Sequence, residues 1–588
     1  MMDKPMLPTL SAEPPKGKEW QYEVKYDGFR AFLIFRNGEV QLISRNGKDL
    51  SFQFPELIEG LSVVPEADFV LDGEIVILNT PYQGDFEQLQ KRGRLKNKDR
   101  IIQASKKRPA SYMAFDMVTQ ETQDITNFSY LNRKKELKKV VKDLNHPSLH
   151  YVTSYSDWKT VRQLVFEHLG EGVVAKRKSS NYAFNKRSSN WLKIKIWRTV
   201  SGFLTQYNPD NDYFKAEIYN EEQRIGLGRV KHGLESEQFQ TLIKFFKEKG
   251  QNWKIEPGIC VDINCLNAQD EELREPVFKD FRFDLSAEDC TRRKCRWDLA
   301  LFPKEVDFTH TDKTLWPIGV LKEDYLIYLR HIAPHMLRFF SSKKVTVIRY
   351  PDGITKQSFF QKHKPDYAPD YIEGWDEEDG EMALRADSLN SLLWLGNQGA
   401  LEFHLPFQRA LSSYPDEIVF DLDPPSREKF QIAVLAAKLL KHLLDRLEVY
   451  SFVKTSGNKG LQIHIPVEEG KISYEETRNF TEKLAMLLVK EKPELFTIER
   501  LKKKRGDRLY IDYVQHAEGK TIIAPYSARA TEEASVATPL FWGELNDSLT
   551  PYSYTIENVL HRVQTLGCPF ASYDEVREKQ PIDTIKNL

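Results

Sequence analysis

Apolar residues recur along this 588-residue chain in short alternating runs, and many of those runs carry a charge in their middle. EVKYDGFR at 23–30 reads as a strand ending in a turn, SRNG at 44–47 follows an alternating apolar run, and FVLDGEIVIL at 69–78 is a buried strand interrupted by Asp72 and Glu74. AFDMV at 114–118, EGVVAKR at 171–177 and WLKIKIW at 191–197 are further short strands that carry charge. Strand geometry puts Lys193 and Lys195 on one face with Ile194 and Ile196 on the other, and likewise lets Asp72 and Glu74 share a face. Charge on such strands is costly unless it faces a cleft or a partner. The pattern therefore predicts a charged wall suited to phosphate, ribose or a metal ion.

Near residue 303 the character changes. A polar entry, DFTHTDKTLWP at 307–317, leads into a helical pattern over 324–340, which places a domain boundary between Phe302 and Asp307. IVFDLDPP at 418–425 is a strand whose Asp421 and Asp423 project to one side before the prolines stop it, and YIDYVQ at 510–515 supplies Asp512 on another. Three such acids suit two-metal phosphoryl transfer, although a lone DxD is more often a strand end. FVKTSGNKGLQIHIP at 452–466 reads as a hairpin in which Gly457 and Gly460 let backbone N–H groups converge, with Ser456 and Lys459 adding a hydroxyl and a cation for a triphosphate. The acidic stretch at 370–381 is expected to be an exposed loop.

Length implies three or four domains. Composition, with 40% hydrophobic and 29% charged residues, is that of a globular soluble protein. No apolar run is long enough to cross a bilayer and MMDKPMLPTL carries no leader pattern, so a cytoplasmic location is expected. The net charge of -1 hides basic runs: nine basic side chains against one acid over 91–108, and six against one over 500–508. Each is either a phosphate grip or a solvated loop. Cys260 with Cys265 and Cys290 with Cys295 share a spacing, yet positions five apart on a strand face opposite ways, so buried thiols fit better than a zinc site.

Lys25, beside an acid and a glycine, has the setting of a covalent nucleotide carrier, whose amine would attack the α-phosphate of ATP. An amine attacks only when deprotonated, so burial or cations such as Arg30 are expected to lower its pKa. In order, these segments resemble the ATP-dependent DNA ligases, within the covalent nucleotidyltransferases that include RNA ligases and capping enzymes, over residues 1 to about 303. The resemblance implies Lys25 as the adenylated nucleophile and Arg30 gripping the nucleotide. It further implies Arg45 on phosphate, Glu74 on the ribose, Phe115 against adenine, Glu23 at the base, Glu171 as a metal-binding acid, and Lys193 and Lys195 on the α-phosphate. Residues 198–303 look like the oligonucleotide-binding barrel of these ligases. Arg282 and Asp284 match its closing motif, but Leu285 stands where a lysine is expected, a loss for which Arg274 or Arg292 would compensate.

The second half, with RYPDGI at 349–354, SFFQKHKP at 358–365, LEFHLPF at 401–407 and KTIIAPYSARA at 520–530, resembles the polymerase domain of bacterial DNA ligase D, of the archaeal and eukaryotic primase superfamily. On that resemblance Asp421, Asp423 and Asp512 bind the metals, while Ser456, Lys459 and Arg529 contact the incoming nucleotide. Phe359, Lys362 and His404 would line the same site. Gln462 and His516 depart from the family's histidine and asparagine, and His464 lies two positions beyond Gln462 on the same face.

The implied fold is multidomain α+β: an adenylation domain at 1–197, an OB-fold β-barrel at 198–303 and a primase-like polymerase domain at 304–588. The implied enzyme uses ATP, Mg2+ or Mn2+ and NTP or dNTP substrates to fill and seal nicked, gapped or broken DNA in bacterial non-homologous end joining. It would act as a monomer at the nucleoid with the Ku homodimer, without the phosphoesterase domain of many members. Rival readings are an RNA ligase or capping-type enzyme, disfavoured by the primase-like half, and a DNA-end-binding scaffold with degenerate sites, disfavoured because the lysine and acids are all present.

Overall fold

Trp20, Tyr22 and Val24 of the strand Trp20–Lys25 pack with Val173, Ala175 and Ile194, so Glu23 and Lys25 project from the opposite face. The computed structural model describes residues 3–61, 68–269 and 272–588; Met1 and Met2, which open the segment read for a leader, lie outside them. Two compact units make up the chain, Met1–Phe302 and Pro303–Leu588.

In the first unit one sheet has the strand order Leu7–Leu10, Arg187–Lys195, Gly172–Arg177, Trp20–Lys25, Ser154–Tyr155. A second runs Leu149–Tyr151, Ser111–Gln120, Phe69–Val76, Phe29–Arg36, Glu39–Ser44. Ala31, Leu33, Phe35, Leu71 and Ile75 form its core with Leu137 of the helix Tyr130–Leu144, which leaves Arg30, Phe32, Asp72 and Glu74 on the other face. Phe115 is skipped in the register, which passes from Asp72 opposite Asp116 to Gly73 opposite Ala114. Such a bulge re-aims a side chain, here away from the core around Ala31 and Leu33 and onto the clusters around Val24 and Trp191 on the sheet's other face.

The third sheet, Gln223–Val230, Tyr213–Asn220, Arg198–Asn208, Lys254–Cys265, Val277–Phe281, does not close into the expected barrel among the described residues. The end strand Val277–Phe281 instead meets the turn that follows Val230, the Phe278 N–H donating to the His232 carbonyl (2.7 Å), after which Gly233 (φ +97°) leads the chain away into the helix Ser236–Lys249. Cys260, Cys265, Cys290 and Cys295 are all buried in this sheet's core. The opposite facing expected of Cys260 and Cys265 therefore keeps neither out of the interior.

In the second unit the central sheet runs Phe496–Thr497, Leu509–Asp512, Glu417–Asp423, Leu461–Pro466, Phe452–Thr455, Pro539–Leu540. Ile418, Phe420, Leu422 and Ile463 pack on the helices Phe430–Arg446 and Tyr474–Glu491. The opposite face carries Asp421, Asp423, Gln462 and His464. The expected helix over 324–340 is Lys322–Met336 followed by a tighter turn. The acidic stretch is only partly a loop, since Gly374–Asp376 pairs with Met382–Leu384. Likewise the basic run at 91–108 lies largely on two helices, Phe86–Gly93 and Lys98–Lys107, with Arg92 buried against Glu56 at 2.8 Å. Among the described residues no helix is long and apolar enough to cross a membrane.

Candidate active sites

Strand register assembles the first site. Lys25 lies opposite Gly172 and Gly172 opposite Lys195, while Glu23, Val174 and Lys193 form the next row. Residues directly opposite share a face, so Glu23, Lys25, Lys193 and Lys195 line one wall. Gly28 ends the motif because a Cβ there would stand 2.2 Å from the Ile75 carbonyl oxygen.

Lys25 Nζ donates to Glu171 Oε2 at 2.5 Å. Burial pulls the pKa of Lys25 down, but Glu171, with Glu74 and Asp27, outweighs it and holds the group above its ordinary value. Lys25 at rest is thus an ammonium, contrary to the lowered pKa expected from Arg30 and other cations. Arg30 is engaged elsewhere, donating from Nε and Nη2 to the two oxygens of buried Asp72 at 3.0 and 2.6 Å, with Tyr182 donating to the same carboxylate at 2.7 Å. The Arg30 guanidinium stands 5.2 Å from the Phe115 ring and 5.6 Å from that of Trp191, so the bulged Phe115 and Arg30 share one pocket wall.

Glu74 is half-buried, and burial raises its pKa to about 8 against the pull of Lys25 and Arg30. Burial also lowers the pKa of Lys193, helped by Lys195 and Lys25. Lys195 forms an ion pair with Glu275. Arg45 is exposed, its main-chain N–H held by the Arg30 carbonyl at 3.0 Å. Glu23 is buried and saturated: Lys134 and Lys176 lie at 2.6 and 2.7 Å, and Tyr130 and Ser154 donate at 2.5 and 3.0 Å. Its carboxylate is occupied by protein donors. Lys176 in turn lies 4.1 Å from the Trp191 ring and 4.5 Å from Phe115.

Lys134, Tyr130 and the Arg133–Asp116 pair (2.8 Å) escape sequence reasoning, since a helix more than a hundred residues after Lys25 brings them. Lys176 was legible, two residues beyond Val174 on the charged face. Arg274 makes a two-bonded ion pair with Asp27, whereas Arg282 bonds Asp284 and Asp262, and Leu285 packs at the third sheet's core.

In the second unit one row crosses four strands: Asp512, Asp421, Gln462, Lys454. Lys454, which sequence reasoning passed over inside FVKTSG, is fully buried and donates to Gln462 Oε1 at 2.5 Å, while Gln462 Nε2 donates to Asp421 Oδ1 at 3.1 Å. Burial, with Arg529 nearby, lowers the pKa of Lys454 to about 7. Burial likewise raises that of Asp421 to about 6, and Asp423 and Asp512 add to the rise.

Asp423 faces Lys459 at 2.9 Å and Arg505 at 3.7 Å, and Arg505 stacks 3.6 Å from the Tyr510 ring. Among the described residues no three His, Cys, Asp or Glu side chains converge as a preformed metal cluster, because these acids are turned to separate partners. Two like charges directly opposite on neighbouring strands are nevertheless unfavourable unless a cation joins them, so the donor set fits a divalent metal.

Ser456 is buried, and its Oγ accepts from the Gly460 N–H at 3.0 Å, which shapes the turn. Gly457 needs its left-handed φ of +70°, where a Cβ would meet the Ala537 nitrogen at 2.8 Å. Arg529 donates to the Ser456 carbonyl at 3.1 Å and to Glu402 at 3.2 Å, and His404 lies 3.3 Å from the same carboxylate. Phe359 and Lys362 are exposed, with Arg349 placed 4.9 Å from the Phe359 ring. His464 and His516 are buried beside Glu417 (2.9 Å) and Thr477 (3.0 Å).

Residues 7–195 match the model of the ATP dependent DNA ligase domain, and residues 321–570 that of the LigD primase-polymerase domain. The chain is 40% identical to the bifunctional non-homologous end joining protein LigD of Bacillus subtilis, over 99% of this chain and 98% of that protein. Against the multifunctional LigD of Pseudomonas aeruginosa it is 26% identical, over 98% of this chain and 73% of that one. Among solved structures, the polymerase domain of Mycobacterium tuberculosis ligase D in complex with DNA is 28% identical, covering 47% of this chain and all of that one with a TM-score of 0.43. With sequence likeness running nearly end to end and both domain models matched in order, the chain belongs to the LigD family of bifunctional non-homologous end-joining proteins.

Proposed function

We propose that this chain rebuilds DNA ends with its second unit and seals them with its first, residues 1–197 serving as adenylation domain, 198–303 as an open OB-type module and 304–588 as polymerase domain. In sealing, the free amine of Lys25 attacks the α-phosphorus of ATP. A P–N bond forms, the bond to the bridging oxygen of the β-phosphate breaks, and pyrophosphate leaves. The AMP passes to a DNA 5′-phosphate, and attack by the 3′-hydroxyl then closes the strand and releases it.

The observation that carries this reading is the row of Lys25, Gly172 and Lys195 with Glu171 at 2.5 Å from the amine. Lys193 and Lys195 take the α-phosphate, Arg30 grips the nucleotide, Arg45 contacts phosphate, Glu74 the ribose and Phe115 the adenine face, while Glu23, its carboxylate filled by Lys134, Lys176, Tyr130 and Ser154, acts at the base end only through those partners. Before attack the Lys25 ammonium gives up its proton, for which Glu171 at 2.5 Å is the acceptor; once that proton has passed to water, the Glu171 carboxylate would hold the metal. In the second unit Asp421, Asp423 and Asp512 would hold a divalent metal, and Ser456, Lys459 and Arg529 would seat the triphosphate of an NTP or dNTP. Bound Mg2+ or Mn2+ would activate the attacking hydroxyl and offset triphosphate charge. The setting is the cytoplasm, at the nucleoid, on nicked, gapped or broken duplex, with the chain a monomer and a Ku homodimer as partner.

The test is incubation of the full chain with α-labelled ATP and magnesium. Wild type should carry covalent label and Lys25→Ala none. Label persisting in the variant refutes the nucleophile. A gapped duplex supplied with dNTPs or rNTPs then reads extension and sealing together.

A further inference from the structure

A loop from the third sheet reaches the Lys25 wall. Arg274 grips Asp27, two residues past Lys25, with Nη2 donating to Oδ1 at 2.7 Å, and its guanidinium lies 4.2 Å from the Phe86 ring. The next residue, Glu275, forms the ion pair with Lys195. The two partners differ in exposure: the Lys195 side chain is 6% exposed and that of Glu275 is 49% exposed. An ammonium so far withdrawn from water needs a counter-charge. Glu275 supplies it from the solvent side, at the lysine whose row across the sheet, through Gly172, leads to Lys25.

The backbone of Glu275 adds a second observation. Its φ is +50°, in the left-handed region that side-chain-bearing residues adopt at a cost on the order of 1 kcal/mol. A strained residue persists only where its surroundings hold it there, and here those surroundings are the Arg274–Asp27 grip on one side and Lys195 on the other. The loop is thus shaped to bring a carboxylate to that lysine.

A carboxylate on a short arm resembles one edge of a phosphate in charge and in oxygen geometry. We infer that Glu275 is a built-in surrogate for the nucleotide's α-phosphate, neutralising Lys195 in the empty enzyme and displaced when ATP arrives. The inference rests on the proposed place of Lys195 at the α-phosphate. Glu275 is a positioning residue, acting on the reaction through Lys195 rather than by touching the reacting atoms. Its effect lies in competition, since two anions contend for one ammonium. It therefore weakens nucleotide binding without changing the chemical step. It also spares the enzyme a bare buried charge whenever AMP has moved on to DNA.

The experiment measures self-adenylylation of the full chain under single-turnover conditions across a range of ATP concentrations. Glu275→Gln keeps the side chain's size and removes its charge. The half-saturating ATP concentration should fall about three- to fivefold, as expected for loss of a competing partly exposed ion pair, with the maximal rate unchanged. Glu275→Asp, which keeps the charge, should stay near wild type. In a Lys195→Ala background the Glu275→Gln change should add nothing. If Lys195→Ala weakens ATP binding while Glu275→Gln leaves half-saturation unchanged or raises it, the surrogate role is overturned and the α-phosphate role of Lys195 stands. If Lys195→Ala itself leaves half-saturation unchanged, the α-phosphate placement fails and takes the surrogate with it.

Discussion

Around Lys25 the buried charges are matched by opposite ones: Glu171 on Lys25, Asp72 on Arg30, Asp116 on Arg133, and Lys134 with Lys176 on Glu23. In the second unit Asp421 instead sits directly across from Asp512, with a neutral amide, Gln462, as its hydrogen-bond donor. The first site's charges are paired among themselves, and those pairs have to be opened by its ligand. The second sets two acids face to face and fits a ligand that brings positive charge between them. A buried charge that is already paired costs little to keep but must be unpaired to act, whereas an unpaired cluster is strained until its cation binds.

The largest effect should come from removing the two aspartates of the strand Glu417–Asp423. A double Asp421→Ala, Asp423→Ala change should cut nucleotide addition to a primer on the order of a thousandfold, the scale of several kcal/mol of metal stabilisation, while the label on Lys25 stays. Surviving extension places the polymerase chemistry elsewhere.

Next in size is the breaking of a matched pair. Asp116→Asn leaves the fully buried Arg133 without its counter-ion. Unfolding of the first unit, followed by calorimetry on the full chain, should be easier by about 3–5 kcal/mol. An unchanged transition means that charge matching does not hold this unit together.

The smallest effect has the opposite sign. Asp421→Asn removes a charge that burial disfavours and that Asp423 and Asp512 repel, and should stabilise the second unit at pH 7.5 by on the order of 1 kcal/mol, discounted for partial exposure, even as extension is lost. Because the folded pKa of Asp421 is raised to about 6, the folded state binds the proton more tightly than the unfolded chain. Wild-type stability is then highest, in this respect, below the ordinary carboxylate range and falls as pH rises through about 6. The gap between variant and wild type should accordingly close below about pH 4. A gap that stays constant with pH removes the Asp421 charge as its cause.

Much of the candidate chemistry was legible because it is local. Alternation placed Lys193 with Lys195 and Asp421 with Asp423, and the turn glycines Gly457 and Gly460 stand where the hairpin needs them. What escaped were partners set by distant pairing. Nothing near Arg30 in sequence says that Asp72 will hold it, and Glu171, which turns Lys25 into a resting ammonium, lies 146 residues away. Phe115 reaches the site through a bulge that alternation does not encode, and Arg505 of the basic run stacks on Tyr510 at Asp423 rather than standing free in solvent.

The sequence by itself determined which candidate side chains stand on which face of each strand and that the two halves resemble two families, since strand faces and turns follow from a two-residue period and local backbone freedom. Only the tertiary structure decided which charges meet: Glu171 at Lys25, Asp72 at Arg30, Asp512 across from Asp421, Glu275 on Lys195. Register between strands far apart in the chain sets those meetings, and a slip of one residue would turn every one of these side chains to the other face.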